Sequence, residues 1–265
     1  MRSLHVIPLV AGCALIAAGC GGDSVTDPTP DAASLAQVLP DHSILRAKLR
    51  EILEEQNGGL GFEMWATLLD RKGKVVDVVF SGELRGDQWP GSRVISAQKA
   101  NSANAFSLEG FALSTANLFA ATQPGGSLFG LQESNPVDTR VAYAGPVSAY
   151  GSHNDPMIGR LIGGINVFGG GLALYSSNGT LRGGVGVSGD TSCTDHIVAW
   201  KLRHALNLDN VPAGPDGDSS SDNIIYTEGT LDGFEHPTCF DTEGQGDHVS
   251  IGNELPNTHP IGPGE

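Results

Sequence analysis

Apolar positions along this chain change their spacing several times, and each change marks an element. Ile44, Leu45, Leu49, Ile52 and Leu53 recur at helical spacing with Arg46, Lys48, Arg50, Glu54 and Glu55 mostly opposite, which predicts an amphipathic helix. Asp41, after Pro40, is placed to cap it, and Asn57-Gly58-Gly59 to stop it. Met64 to Leu69 and Lys74 to Phe80 then read as two strands of a hairpin, joined by Asp70-Arg71-Lys72-Gly73 with glycine where a positive φ is wanted. A second helix is predicted from Arg93 to Phe106, where Ala97, Ala100, Ala103 and Ala105 are interleaved with Gln98, Lys99, Asn101 and Asn104. Side chains this small let a helix lie close against a sheet or a partner helix. A further helical stretch covers Ser114 to Ala121.

Gln123 to Pro156 is rich in glycine, proline and asparagine and carries no periodic signal. A loop of that length inside a domain is expected to be functional or ordered by a partner subunit. Between Ile162 and Gly189 three short apolar runs predict three strands. They are Ile165 to Phe168, Leu172 to Tyr175 and Leu181 to Val187, separated by Gly169-Gly170-Gly171 and by the turn Ser176-Ser177-Asn178-Gly179. A helix follows from Thr191 or Ser192 through His204, with Ile197, Val198, Trp200 and Leu202 for burial and Asp195 in its first turn. Two strands and then three give an α+β domain with an antiparallel sheet of about five strands and packed helices. From Asp209 to Glu265 there are twelve acidic side chains and no Lys or Arg. This reads as an extended acidic tail wrapped on the domain, with a mobile end.

The N-terminus changes the picture of where this domain works. Arg2 precedes an apolar run that ends in Ala17-Ala18-Gly19-Cys20, too short for a comfortable membrane span and shaped like a signal peptide with a lipoprotein-type site. Cutting at Cys13 leaves too little apolar length, so Cys20 is the expected lipidation site; an ordinary cleavage near Ala18 also means export. Residues 21–34 read as a disordered tether, residues 35–208 as the domain and residues 209–265 as the extension. The expected location is the periplasm or cell envelope, with the membrane reached through the N-terminal lipid.

The chain has 30 acidic against 15 basic residues, a net charge of −15, and lacks a basic stripe, which excludes nucleic acid as an expected partner. Removing the signal and lipidating Cys20 leaves Cys193 and Cys239, and in an oxidising compartment two such thiols are expected to pair. That disulfide would fasten the tail to the helix from Ser192, contributing roughly 2–4 kcal/mol.

Three ordered features, the Met64–Phe80 hairpin, the helix with Ala97-Gln98-Lys99-Ala100-Asn101, and the glycine framework Gly163-Gly164 with Gly183-Gly184-Val185-Gly186-Val187-Ser188-Gly189, resemble the GlcG/HbpS family of haem-binding and haem-degrading-type domains. The same domain also forms the C-terminal part of PduO proteins. The resemblance covers about Leu35 to Leu208 and implies a profilin-like sheet with packed helices, assembly into a homo-oligomer, and haem or a related small-molecule ligand. The Gln123–Pro156 segment and the acidic tail depart from the family pattern. Under this resemblance His196 is the first candidate to hold haem iron and His153 the second, and Lys99 is a candidate partner for a carboxylate or propionate. The blander reading of Lys99 is a snorkelling surface lysine, and that of each histidine a capped or solvated side chain. An enzyme or accessory subunit acting on a small organic molecule, and a ligand-free oligomeric scaffold, are the alternatives.

Other constellations are weighed on spacing alone. Gly184 to Gly189 satisfies G-x-G-x-x-G, but no second parallel strand follows, so a tight turn in a closely packed sheet is preferred to dinucleotide binding. Cys193-x-x-His196 with His236-x-x-Cys239 is an alternative zinc site to the disulfide. Asp216 to Asp222 has alternating oxygens but lacks the glycine and bidentate Glu of a calcium loop, and reads as a solvated acidic loop. No G-x-S-x-G elbow, P-loop or H-E-x-x-H occurs.

Overall fold

The computed structural model describes residues 39–227 and 233–262. The signal peptide, Cys20 and the tether lie outside the described residues. Helix α1 (His42–Leu53) starts where the Asp41 carboxylate accepts the Ile44 N–H at 3.0 Å, and it buries Leu45, Leu49 and Ile52. Strands β1 (Trp65–Asp70) and β2 (Val75–Phe80) form the predicted hairpin, with Gly73 at φ +80° in its turn. Helix α2 (Ser92–Ala105) follows, then strands β3 (Gly171–Tyr175) and β4 (Leu181–Ser188), helix α3 (Ser192–Ala205) and helix α4 (His248–Thr258).

The sheet has four strands in the order β2-β1-β4-β3, every neighbouring pair antiparallel. One strand fewer forms than the apolar runs suggested. Ile165 and Val167 are buried, but against Leu118 rather than in the sheet, so burial and not pairing explains that run. Both sheet faces are covered. Ala66, Leu68, Val185 and Val187 pack toward α1, α3 and α4, while Trp65, Leu69 and Val78 pack toward α2. Every residue of β1 is therefore buried.

The α2 face depends on missing side chains. A Cβ at Gly184 or Gly186 would collide with the backbone oxygens of Ala100 or Ser96, and one at Gly171 with that of Lys99. From the helix side the small Ala97 and Ala100 pack toward the sheet, and Thr67 Oγ1 and Ser96 Oγ are hydrogen-bonded at 2.7 Å beside them. The G-x-G-x-x-G run is thus a strip of bare backbone beneath a helix. Gly189 ends it where a Cβ would sit 2.6 Å from the Glu63 oxygen.

The segment from Gln123 to Pro156 is ordered by its own chain. It forms short helical turns at Leu131–Ser134, Thr139–Ala142 and Val147–Ala149. Arg93 of α2 holds it, donating from Nε to Asp155 at 2.8 Å and from Nη1 to the Ala142 oxygen at 2.7 Å, with its guanidinium 3.7 Å above the Tyr150 ring. The acidic tail packs on the domain as expected, but part of it is helical rather than extended. Asp247 caps α4, whose Leu255 is fully buried against α3, and Trp200 Nε1 donates to the His259 oxygen at 3.0 Å. Asp222 is not solvated either; it forms a fully buried ion pair with Arg203. Among the described residues no helix is long and apolar enough to cross a membrane.

Gly186→Ala is expected to destabilise the protein by about 1–3 kcal/mol, because the added methyl must push α2 off the sheet. Gly110→Ala, with open space around it, is expected to stay within about 0.5 kcal/mol. Urea unfolding midpoints compare the two; equal midpoints would refute the close-packing account.

Candidate functional site

The end of β4 and the middle of α2 meet the first turns of α3 in a buried polar region. Thr191 caps α3 by accepting the Thr194 N–H, and Asp195 turns back to accept the N–H groups of Gly189 and Asp190 at 3.0 and 2.9 Å. Lys99 reaches the same carboxylate from α2, its Nζ 2.6 Å from Asp195 and 3.1 Å from the Val187 oxygen. Lys99 is therefore no surface lysine; it is 1% exposed and its ammonium is held by Asp195. Burial pushes the Asp195 carboxyl up to about 6, against the pull of Lys99. Burial likewise lowers the Lys99 ammonium from its ordinary value, opposed by Asp195.

His196 follows on the same turn and is fully buried. Its Nε2 faces Asn223 Oδ1 at 3.2 Å. The amide orientation is fixed because Asn223 Nδ2 donates to the Gly252 oxygen and Oδ1 also accepts from Ile224 N, each at 2.8 Å. Nε2 must therefore carry the proton, leaving Nδ1 as a lone pair, and that atom has no partner among the described residues. Burial lowers the His196 imidazole to about 3.

His236, brought in by the tail, sits beside α3 with Nε2 3.1 Å from Ser192 Oγ and Nδ1 2.7 Å from the Pro237 oxygen. A carbonyl only accepts, so Nδ1 carries the proton and Nε2 is a lone pair met by one rotatable hydroxyl. Burial lowers this imidazole to about 4. Its ring lies 4.8 Å from that of Phe119, which with Ala120, Thr227 and Pro237 walls a groove of about 450 Å³. A groove of that size suits a small organic ligand or cofactor.

Cys193 and Cys239 are disulfide-bonded with Cα atoms 6.1 Å apart, the pairing expected from composition. Of the four residues in the alternative zinc set, only these two share a potential ligand cluster; the third member is His248, and neither His196 nor His236 belongs to it. Lys99 and His196 lie in one buried region, whereas His153 is exposed beside His42, with ring centroids 6.4 Å apart. His248, Asn223 and the Asp195 partnership escaped the sequence reading. Each depends on a contact across a long stretch of chain, with no local spacing to reveal it.

Comparisons with known proteins found one family model and several solved structures. The family model described as HbpS-like, haem degrading protein HbpS-like, matches residues 44–202. The crystal structure of a PduOC:heme complex aligns at 21% identity over 63% of this chain and 91% of that one, with a TM-score of 0.43. Klebsiella pneumoniae protein ORFY aligns at 23% identity over 69% and 97%, also with a TM-score of 0.43. A double mutant of Streptomyces reticuli HbpS aligns at 16% identity over 75% and 99%, with a TM-score of 0.39. No curated protein sequence matches.

The two neutral imidazoles make stability pH-dependent. Each binds a proton near 6.5 when unfolded but only near 3 or 4 when folded, so their contribution is lost as pH falls below 6.5. Asp195 acts oppositely, since its folded value of about 6 exceeds 3.8; its contribution diminishes as pH rises through that window. Between about pH 7 and pH 5, wild type is expected to lose about 2 kcal/mol more stability than His196→Gln. Urea titrations at both pH values measure the difference, and parallel losses would show that His196 is not kept neutral by the fold.

Proposed function

The chain belongs to the HbpS-like family, and on that premise we propose that it binds haem in the groove walled by Phe119, Ala120 and Pro237, with His236 as the iron ligand. The observation that carries this reading is the state of His236: a neutral imidazole behind Phe119, its Nδ1 proton fixed on a backbone oxygen and its Nε2 lone pair held by one hydroxyl. An imidazole oriented in this way is the form that ligates iron. His196 has the more isolated lone pair, and both imidazoles are buried and stand behind the groove's lining rather than in it, but His236 lies between the lining residues Glu235 and Pro237 and its ring packs on Phe119. That favours His236 over His196, and over His153 on the surface. Lys99 is committed to Asp195. Bound haem would supply an iron centre for small-ligand or redox chemistry; the chain's own contribution is the imidazole and the apolar wall.

Export as a lipoprotein and assembly of like subunits belong to the same proposal. The apolar run ending in Gly19-Cys20 supports export, and so does a disulfide, which persists in oxidising compartments. Assembly of like subunits is supported by membership of the HbpS-like family. Metabolic palmitate labelling that persists in Cys20→Ser would overturn lipidation at that residue.

Titration of the purified chain with haemin is expected to give a saturable Soret band, lost in His236→Ala and retained in His153→Ala. The net charge of −15 and the absence of any Lys or Arg after residue 208 repel the haem propionates. Binding is therefore expected to tighten several-fold as salt rises from about 0.01 to 0.5 M. No saturable band sinks the haem reading; a band lost only in His196→Ala moves the ligand to α3.

A further inference from the structure

The disulfide corner holds a ligand set that haem binding does not use. Cys193 is the second residue of α3. Its backbone N–H points at Cys239 Sγ at 3.2 Å, and Ser192 Oγ lies 3.8 Å from the same sulfur. Donors of this kind, at a helix N-terminus, stabilise a thiolate. On the other side stands His248, 4% exposed, the first residue of α4. Its Nδ1 lies 2.7 Å from Asp241 Oδ2, and the Cys239 N–H donates to its Nε2 at 2.9 Å. Since a carboxylate accepts and an N–H donates, Nδ1 bears the proton and Nε2 is a lone pair.

Cys193 Sγ, Cys239 Sγ and a nitrogen of His248 all lie within 4.8 Å of one another. We propose that reducing this disulfide creates a site for a thiophilic divalent ion of the Zn²⁺ type, ligated by both sulfurs and His248 Nε2. A thiol reductant supplies two electrons and two protons and is itself oxidised to a disulfide; the two cysteines then release those protons as the ion binds. The sulfurs must separate from bonding distance to about 3.8 Å, the spacing set by metal–sulfur bonds of about 2.3 Å in a tetrahedral site, and the ion takes the His248 Nε2 lone pair in place of the Cys239 N–H, which turns to another acceptor. Asp241 holds the imidazole in its ligating tautomer, the carboxylate–histidine–metal arrangement that orients such ligands. Three protein ligands leave one position for water or an exogenous donor. The site lies where the segment after the family-matched residues 44–202 is stapled to α3, so the same two sulfurs serve as a covalent fastener when oxidised and as a metal clasp when reduced.

Cobalt uptake tests this on the full chain carrying Cys13→Ser and Cys20→Ser, reduced with a phosphine and freed of it without air. One Co²⁺ per chain is expected, with thiolate-to-cobalt absorption in the near ultraviolet and tetrahedral bands in the visible; the oxidised protein is expected to show neither. His248→Ala and Asp241→Asn are expected to weaken uptake at least about tenfold, with circular dichroism confirming that both stay folded. The proposal is overturned if the reduced, folded chain shows no thiolate–cobalt band, if both variants bind as tightly as the parent, or if reduction alone abolishes the native circular dichroism. Haemin titration of the same preparations is a separate readout, because neither Cys193 nor Cys239 is assigned to haem.

Discussion

The seating of α2 on the bare backbone of Gly171, Gly184 and Gly186 is the constraint from which the rest of the structure follows. At that separation the helix backbone lies directly over β3 and β4. One consequence is positional: Lys99, whose backbone oxygen covers Gly171, can send its ammonium to the Val187 oxygen and Asp195. Another lies six residues earlier, where Arg93 meets the segment running to Pro156. If side chains raised the helix, neither cation would keep its geometry, and the first turn of α3 would lose the ion pair that ties it to α2.

Three fully buried ion pairs hang on this frame: Arg93–Asp155, Lys99–Asp195 and Arg203–Asp222. Their Coulombic gain is offset by the cost of taking both charges out of water, so pairs of this kind are weak as net stabilisers. What they do is punish the wrong arrangement, because removing one partner leaves a buried charge alone, at a typical cost of about 3–5 kcal/mol. Each pair here joins elements far apart in sequence. Arg93 fixes the long segment before β3, Lys99 links helices on opposite sheet faces, and Arg203 fixes the chain after α3.

What the sequence revealed divides along the same line. The hairpin, the capped helices, the small-residue helix and the packing role of the glycine run were legible because each is written in a local period or a turn. The segment containing Ile165 and Val167 misled, since an apolar run reports burial without saying what covers it. The tail concealed more. Its acidic, glycine-rich composition suggested extended chain, but Asp222 is neutralised by Arg203, Asp247 caps a helix and Leu255 fills the core. The candidate site was half legible: Cys193, Cys239, Lys99, His196 and His236 stood out by residue type, whereas their partners Asp195, Asn223 and His248 are set by contacts that no spacing encodes.

The distribution of histidines along the chain separates fold from chemistry. His196 lies within the family-matched residues, but its one proton is directed at Asn223, which the tail supplies. His236 and His248 belong to the tail outright, and each has its Nδ1 proton fixed by an oxygen of that same tail, Pro237 or Asp241. An imidazole ligates only through a lone pair, and which nitrogen keeps it is decided by the acceptor facing the other. The family domain provides the frame and the first turn of α3; the segment after residue 202 decides the tautomers, and with them which nitrogens can bind a metal. Two proteins sharing the domain but differing in that segment are therefore expected to share the sheet and its glycine strip while differing in ligand.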